Sequence, residues 1–400
     1  MHPVEVGNSR YIRDLNLAGI FKLITKLGPI TRKQLADNTG YSAATVSNHV
    51  KTLLAQGYVI ETEKGHSTGG RKPVYLTVNP DKGYIFTIDI EVTQIRMVMF
   101  NLKLEVEKNI KFSIVDENNS ELVLDIILNK LHTMLKEENL KEDKIMGIGI
   151  AVPGLINKNE NILEFAPNLG WNKLDIIKYF KSKLEFSETV TGNQVPIILE
   201  NEANAAAAGE REFVYPESDN MVYVSINEGI GCGIFFNGEL YRGASGNAGE
   251  FGHIIIDEEG KTCHCGNRGC WETMASTDYI KNRYQELTGN ELNLQTIKKS
   301  LQIREQKLIQ VLEETADNLG LGLANIINSL SPDLLIIGGD IVKFQDYIEP
   351  EIMNVLQEKS IDISLEQVEV KFTKLKGLAV VRGLASHVFD ESVSLLKQRA

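Results

Sequence analysis

The first 80 residues carry a stop signal after every short apolar run, which leaves room for little except three short helices and a hairpin. Leu17, Ile20, Phe21, Ile24 and Leu27 recur at helical spacing and end at Gly28-Pro29. Thr31, with Gln34 three residues on, has the form of a capping box and opens a second helix that stops at Gly40. Ser42 is a good N-cap for a third helix, in which Val46, Val50, Leu53 and Leu54 form one apolar stripe. After Gly57, Tyr58–Glu63 and Val74–Val78 read as two short strands around KGHSTGGRKP. Three helices with a tight glycine turn between the second and third, then a hairpin, predict a winged helix-turn-helix.

The face of the third helix opposite its stripe holds Ala44, Thr45, Asn48 and Lys51, with Ser42 at its start. Short side chains permit close approach to the major groove, and Ser, Thr and Asn can bond base edges. Arg71 and Lys72 fall at the hairpin tip, where they would meet phosphate or the minor groove. The net charge of −12 argues against DNA binding until the chain is divided. Residues 1–80 hold 10 Lys+Arg against 5 Asp+Glu, and residues 81–400 hold 32 against 49. A small basic head on a large acidic body suits a phosphate-binding module joined to a sensor that avoids DNA. The expected boundary is therefore a DNA-binding domain at 1–80 and a second domain at 81–400.

From Tyr84 onward apolar strands alternate with helical patterns, which predicts an α/β body with ligand groups on loops at the strand ends. The expected strands include YIFTIDI, IRMVMFNL, KIMGIGIAV, VPIILEN, NMVYVSIN, GCGIFFNG and DLLIIGGD. No apolar run is long enough to span a bilayer, and MHPVEVGNSR lacks a secretory apolar region, so a cytoplasmic protein without membrane partners is expected. Cys263, Cys265 and Cys270 stand as C-x-C-x4-C with Gly266 and Gly269 between them. That spacing points to a metal site and not to a disulfide framework. His264 is one available further ligand, and Cys232 reads as a small core residue.

In their order along the chain, AVPGLIN, APNLGW, ENEANAAAAGE, GNAGEFGH, CHCGNRGCWE and IIGGD resemble the ROK family (repressors, open reading frames, sugar kinases). The resemblance covers essentially the whole chain, and the ENEANA and CGNRGCWE wording is most similar to the xylose repressors of Gram-positive bacteria. It implies a two-lobed actin/hexokinase-like α/β domain behind the winged helix-turn-helix. It also implies one structural Zn²⁺ per chain, held by His253, Cys263, Cys265 and Cys270 with no open position. The sugar pocket it implies comprises Gly154, Asn168, Asn201, Glu202, Glu250, His253 and Glu272. His253 would give one ring nitrogen to zinc and offer the other to the sugar.

The departures from the family's kinases are equally informative. Their D-x-G-G-T loop reads Asp89-Ile90-Glu91-Val92-Thr93 here, and their G-T-G-x-G-G-G loop reads Asn227-Glu228-Gly229-Ile230-Gly231-Cys232-Gly233. An acid enters each loop where nucleotide phosphates would lie, and Glu202 replaces the catalytic Asp. The resemblance therefore implies no catalytic residues. It points to a sugar-responsive repressor that binds operator DNA as a homodimer or dimer of dimers and is released by a sugar such as xylose. The alternative is an active ATP-dependent sugar kinase with a regulatory head.

Overall fold

A computed structural model describes residues 9–64, 73–114, 116–184, 195–292, 297, 301 and 305–396. Its head begins with α1 (Ser9–Leu27), which buries Leu17, Ile20, Phe21 and Ile24. Leu27, expected in the same stripe, is instead 44% exposed, because it is the last residue of the helix and the chain turns away at Gly28. After β1 (Ile30–Thr31), the capping box starts α2 (Arg32–Thr39): Gln34 N donates to Thr31 Oγ1 at 3.3 Å, and Thr31 N donates to Gln34 Oε1 at 2.9 Å. Gly40 ends α2 in the left-handed region, at φ 69°. Ser42 Oγ then accepts from Thr45 N at 3.1 Å and caps α3 (Ala43–Ala55). β2 (Val59–Lys64) and β3 (Val74–Val78) pair antiparallel, and β3 also pairs with β1. These are the elements of a winged helix-turn-helix.

The body repeats one sheet pattern twice. In the first lobe β4 (Tyr84–Ile90), β5 (Gln94–Asn101) and β6 (Val106–Ser113) form an antiparallel meander followed by α4 (Ser120–Glu137). β7 (Ile145–Val152) then pairs parallel to β4. A small sheet of β8 (Leu155–Asn157), β9 (Ile162–Ala166) and β10 (Trp171–Leu174) precedes α5 (Ile176–Lys183). β11 (Ile197–Asn201) pairs parallel to β7 and completes the order β11-β7-β4-β5-β6.

α6 (Glu202–Phe213) carries the chain into the second lobe, where β12 (Met221–Ile226), β13 (Ile230–Phe236) and β14 (Glu239–Leu240) form another meander. α7 (Glu272–Ala275), α8 (Thr277–Thr288) and α9 (Gln306–Leu330) follow. β15 (Leu334–Gly338) pairs parallel to β12, and after α10 (Gln345–Lys359) and α11 (Asp362–Gln367) the strand β16 (Glu369–Phe372) pairs parallel to β15. Each sheet thus reads third, second, first, fourth, fifth strand. The central strands are apolar on both faces, as expected of strands covered from both sides.

The last helix, α12 (Ala379–Ser394), lies where three parts meet. It crosses α6 so closely that a Cβ on Gly383 would fall 1.8 Å from Ala205 O, and one on Gly209 would fall 2.1 Å from Ala379 O. Only glycine fits at either crossing point. Ile85, Val98 and Phe100 of the first sheet, Val381, Val388 and Phe389 of α12, and the apolar face of α1 share a single core. The Phe21 and Phe389 rings stand 5.7 Å apart, and Lys22 Nζ meets Asp390 Oδ1 at 2.6 Å. Head and body therefore touch through packed side chains as well as through the connecting chain. Among the described residues no helix is long and apolar enough to cross a membrane.

Candidate functional site

The carboxyl ends of the parallel strands converge on one cavity of about 270 Å³, the position where open α/β sheets collect ligand groups. Gly154, Asn168, Asn201, Glu202, Glu250, His253 and Glu272 all line it. The loops that depart from the kinase pattern line it as well, through Glu91 and Glu228, and so does Asp340. Six carboxylates and no lysine or arginine are found among its lining residues. The cavity falls just under the usual range of drug-sized ligand sites, roughly 300–1,000 Å³, which suits a monosaccharide.

Several of the expected sugar residues are tied to the framework. Asn201 Oδ1 caps α6 by accepting from Ala203 N at 2.9 Å and Asn204 N at 3.1 Å. Its Nδ2 donates to Gly154 O at 3.0 Å, so one N–H remains for a ligand. Gly154 itself has φ 155°, and a Cβ there would stand 2.5 Å from Phe165 O. Glu272 Oε2 accepts from Ile230 N at 3.1 Å, while its Oε1 lies 3.4 Å from Cys263 Sγ. Glu272 thus links the second acidic loop to the cysteine cluster, a tether that chain spacing alone does not reveal. Glu250 is more open to the cavity, with Oε2 3.8 Å from His253 Nε2.

The acids influence one another. Glu202 is raised from 4.5 to about 7, by burial first and then by the charges of Glu91 and Glu228. Ser225 Oγ donates to it at 3.4 Å. Asp89, buried beneath the cavity, is pushed well above the usual carboxylate range by burial and by Glu91 and Glu202. Glu91 is also raised, chiefly by burial, although Lys111 stands 3.6 Å away and Gln94 donates to it. Glu228 has Lys281 at 3.5 Å. A nucleotide's phosphates would enter a region already crowded with negative charge.

Beside the cavity, one ligand atom from each of His253, Cys263, Cys265 and Cys270 lies within 4.8 Å of all the others. Cys265 Sγ and Cys270 Sγ are 3.6 Å apart, and Cys263 Sγ is 3.6 Å from His253 Nδ1. The edges of a tetrahedron with Zn–S bonds of about 2.3 Å are roughly 3.7 Å long, so the donor set fits a tetrahedral metal. The glycines serve this closure: Gly266 has φ 95° and Gly269 has φ 70°. Nδ1 of His253 faces the cysteines, and Nε2 is the nitrogen nearer Glu250. His264 lies outside the cluster, with Nδ1 3.3 Å from Asn168 Oδ1. Cys232 is buried in the second-lobe core, as expected.

In the head, Ser42, Ala44, Asn48 and Lys51 are exposed and Thr45 is half-buried. The hydroxyls of Ser42 and Thr45 are 2.9 Å apart, so the cap occupies part of their bonding capacity. His49 on the same helix is buried, and burial pushes its pKa down. His49 follows Val46 by three residues and so shares the buried face of Val46, Val50 and Leu53. Arg71 and Lys72 lie outside the described residues.

A winged helix-turn-helix DNA-binding model matches residues 13–60. The xylose repressor of Bacillus subtilis (strain 168) is 32% identical over 394 residues, covering 98% of this chain and 100% of that protein. A crystal structure of a ROK family transcriptional regulator, described as a homologue of the E. coli MLC protein, superposes with a TM-score of 0.77. It is 25% identical and covers 96% of this chain and 97% of its own. A ROK family glucokinase from Streptomyces griseus, in complex with glucose and AMPPNP, has a TM-score of 0.66 at 23% identity. It covers 76% of this chain and 99% of its own, and so shares the body's fold without the head. The ROK family model itself matches residues 85–390, and the chain belongs to the ROK family.

Proposed function

We propose that this chain is a transcriptional repressor whose head binds operator DNA and whose cavity holds a neutral monosaccharide, D-xylose, that releases the DNA. The observation that carries the reading is the cavity lining: six carboxylates with Asn168 and Asn201 and no lysine or arginine. Sugar hydroxyls both donate and accept, so carboxylates and amides suit them, whereas a triphosphate would need cations. Glu250, His253 Nε2, Glu202 and Asn168 supply the direct sugar contacts in this reading. Asn201 and Glu272 hold the loops in place, and Gly154 gives the close backbone approach. The helix-turn-helix head and the repressor relatives support the DNA-binding half.

Zinc is the metal proposed for the cluster of His253 with Cys263, Cys265 and Cys270. It would supply a fixed tetrahedral centre and no reactive water. The chain's own residues do the rest: His253 is oriented toward the cavity, and Glu272 fixes the 227–231 loop. Ser42, Ala44, Thr45, Asn48 and Lys51, with Arg71 and Lys72, form the proposed DNA contacts. A homodimer with two heads would match a two-fold operator. Sugar can release DNA only if it binds the DNA-free arrangement more tightly than the DNA-bound one.

The test uses DNA retention in the presence and absence of D-xylose. Wild type should bind DNA with strong salt dependence and let it go on addition of the sugar. Glu250→Ala should retain DNA binding but lose sugar affinity by about 10–100-fold, the value of a charge-assisted hydrogen bond. A variant that still responds at the wild-type xylose concentration would remove Glu250 from the site. An ADP-release assay should show no turnover approaching about 1 s⁻¹ on pentoses or hexoses, and turnover at that level would overturn the repressor reading in favour of a kinase.

A further inference from the structure

Glu200 lies one residue before the cavity residues Asn201 and Glu202, yet its side chain is only 1% exposed and the sugar site does not use it. Its Oε2 takes two cations from different parts of the body. Arg242 Nη2 reaches it at 2.7 Å from the second-lobe loop that follows β14 and leads to Glu250. Lys158 Nζ reaches it at 3.0 Å from the turn after β8, and also donates to Leu199 O at 2.6 Å. Glu200 Oε1 accepts from Asn201 N at 3.0 Å. The loop carrying Arg242 presses on β8 and the same turn, since a Cβ on Gly246 would stand 2.8 Å from Ile156 O and 3.8 Å from Lys158 N. The three charged groups therefore join the two lobes directly beside the cavity residues Asn201 and Glu202.

The cavity strand itself lies against α12, since Ile198 of β11 packs onto the core that holds Val381, Val388 and Phe389 of that helix. The Phe389 ring stands near Phe21 and Asp390 pairs with Lys22, both on α1 of the head. A buried carboxylate with two cations adds little net stability over an apolar replacement, because desolvation offsets the attraction. What such a cluster supplies is a fixed geometry, and this one fixes the cavity strand, the Glu250 loop and the helix under the head.

We propose that the Arg242–Glu200–Lys158 cluster is the joint that couples the cavity to the DNA-binding head, with Arg242 and Lys158 acting as positioning residues. Movement of the Glu250 loop relative to β11 is passed through Glu200 to α12, and from α12 to α1. Neither cation lines the cavity.

Hydrogen exchange on the full chain tests the joint in two arms. Without sugar, Arg242→Gln and Glu200→Gln should each raise exchange at least tenfold in α12 and in residues 17–24 of α1. Exchange in α9 should stay unchanged, and Arg242→Lys should restore most of the protection. Faster exchange confined to residues 199–201 and 241–249 would overturn the proposal, and retained α9 protection shows that the variants are folded. The second arm adds D-xylose and rests on the sugar-responsive reading above. There, wild type should change exchange in both the cavity loops and α1, and Arg242→Gln in the cavity loops only. Transmission to α1 that survives in Arg242→Gln would also overturn the joint. A wild type with no response to xylose anywhere would count against the sugar reading, leaving the first arm to decide the joint by itself.

Discussion

Replacing Cys265 with serine is expected to abolish metal binding and the sugar response together while DNA binding persists. The cluster gives Cys265 one of four converging donors, with Sγ 3.6 Å from Cys270 Sγ. Serine keeps the size but offers no thiolate, and a three-donor site loses metal affinity by orders of magnitude. The consequence for the cavity follows from the neighbours. Glu272 Oε1 lies 3.4 Å from Cys263 Sγ, and His253 Nδ1 is 3.6 Å from the same sulfur. Without a cation the three sulfurs are no longer held together, so Cys263 can shift beneath Glu272 and His253 is free to turn. Ile230 N, held by Glu272, would then release the 227–231 loop.

Structural zinc contributes about 10–16 kcal/mol of apparent binding energy in isolated zinc-finger peptides. This loop also has its own support, from Cys263 N to Asn267 O at 2.8 Å and bridges pairing Ile255 with Cys270 and Thr262 with Arg268. The fold should therefore survive with a lower Tm. Metal analysis should fall from the one metal per chain proposed above to near none, and calorimetry should show xylose affinity reduced by about 100-fold or more, the loss of roughly 2.7 kcal/mol of fixed contacts. A variant without zinc whose xylose affinity stays within about threefold of wild type would show that the cluster does not organise the cavity.

The parts of the molecule that were legible in the sequence are those set by neighbours in the chain. The Thr31–Gln34 capping box, the left-handed Gly40 and the Ser42 cap each involve residues no more than four apart, and the structure contains all three. The cysteine spacing likewise anticipated three donors that converge within eight residues, the fourth, His253, lying ten residues before Cys263. Function-bearing ties across the chain were not legible. Asn201 finds Gly154 O 47 residues away, and Glu272 finds Ile230 N 42 residues away. Both residues could be placed in the cavity by motif, but not their division between ligand and framework. The same limit applies to α12, whose Val381, Leu384, Ala385, Val388 and Phe389 recur at helical spacing but do not reveal their partners. Its importance lies in what it touches, α6 on one side and α1 on the other, and no local pattern encodes that.

A second large effect is expected at Glu202, and its sign can be worked out. Its pKa is raised in the folded chain from 4.5 to about 7. Below about pH 4.5 the group is protonated whether the chain is folded or not, and it costs nothing. As pH rises from 4.5 to 7 the unfolded chain gives up the proton first, so the folded state binds more protons and stability falls. Above pH 7 the deficit is constant. At 1.36 kcal/mol for each tenfold change in proton affinity, the rise from 4.5 to about 7 corresponds to about 3 kcal/mol, an upper figure because the carboxyl is partly open to the cavity.

Glu202→Gln keeps the shape and removes the titration, and it also takes away a charge that raises Asp89. The variant should therefore match wild type in Tm near pH 4.5, gain on it through pH 6, and exceed it by several degrees at pH 8. A difference in Tm that is flat between pH 5 and pH 8 would show that Glu202 carries no raised pKa. The gain in stability should be accompanied by a weaker sugar affinity, because an amide oxygen accepts a weaker hydrogen bond from a sugar hydroxyl than a carboxylate does. Stability lost to Glu202 at pH 7 is then a measure of how far the cavity is organised for its ligand instead of for its own fold.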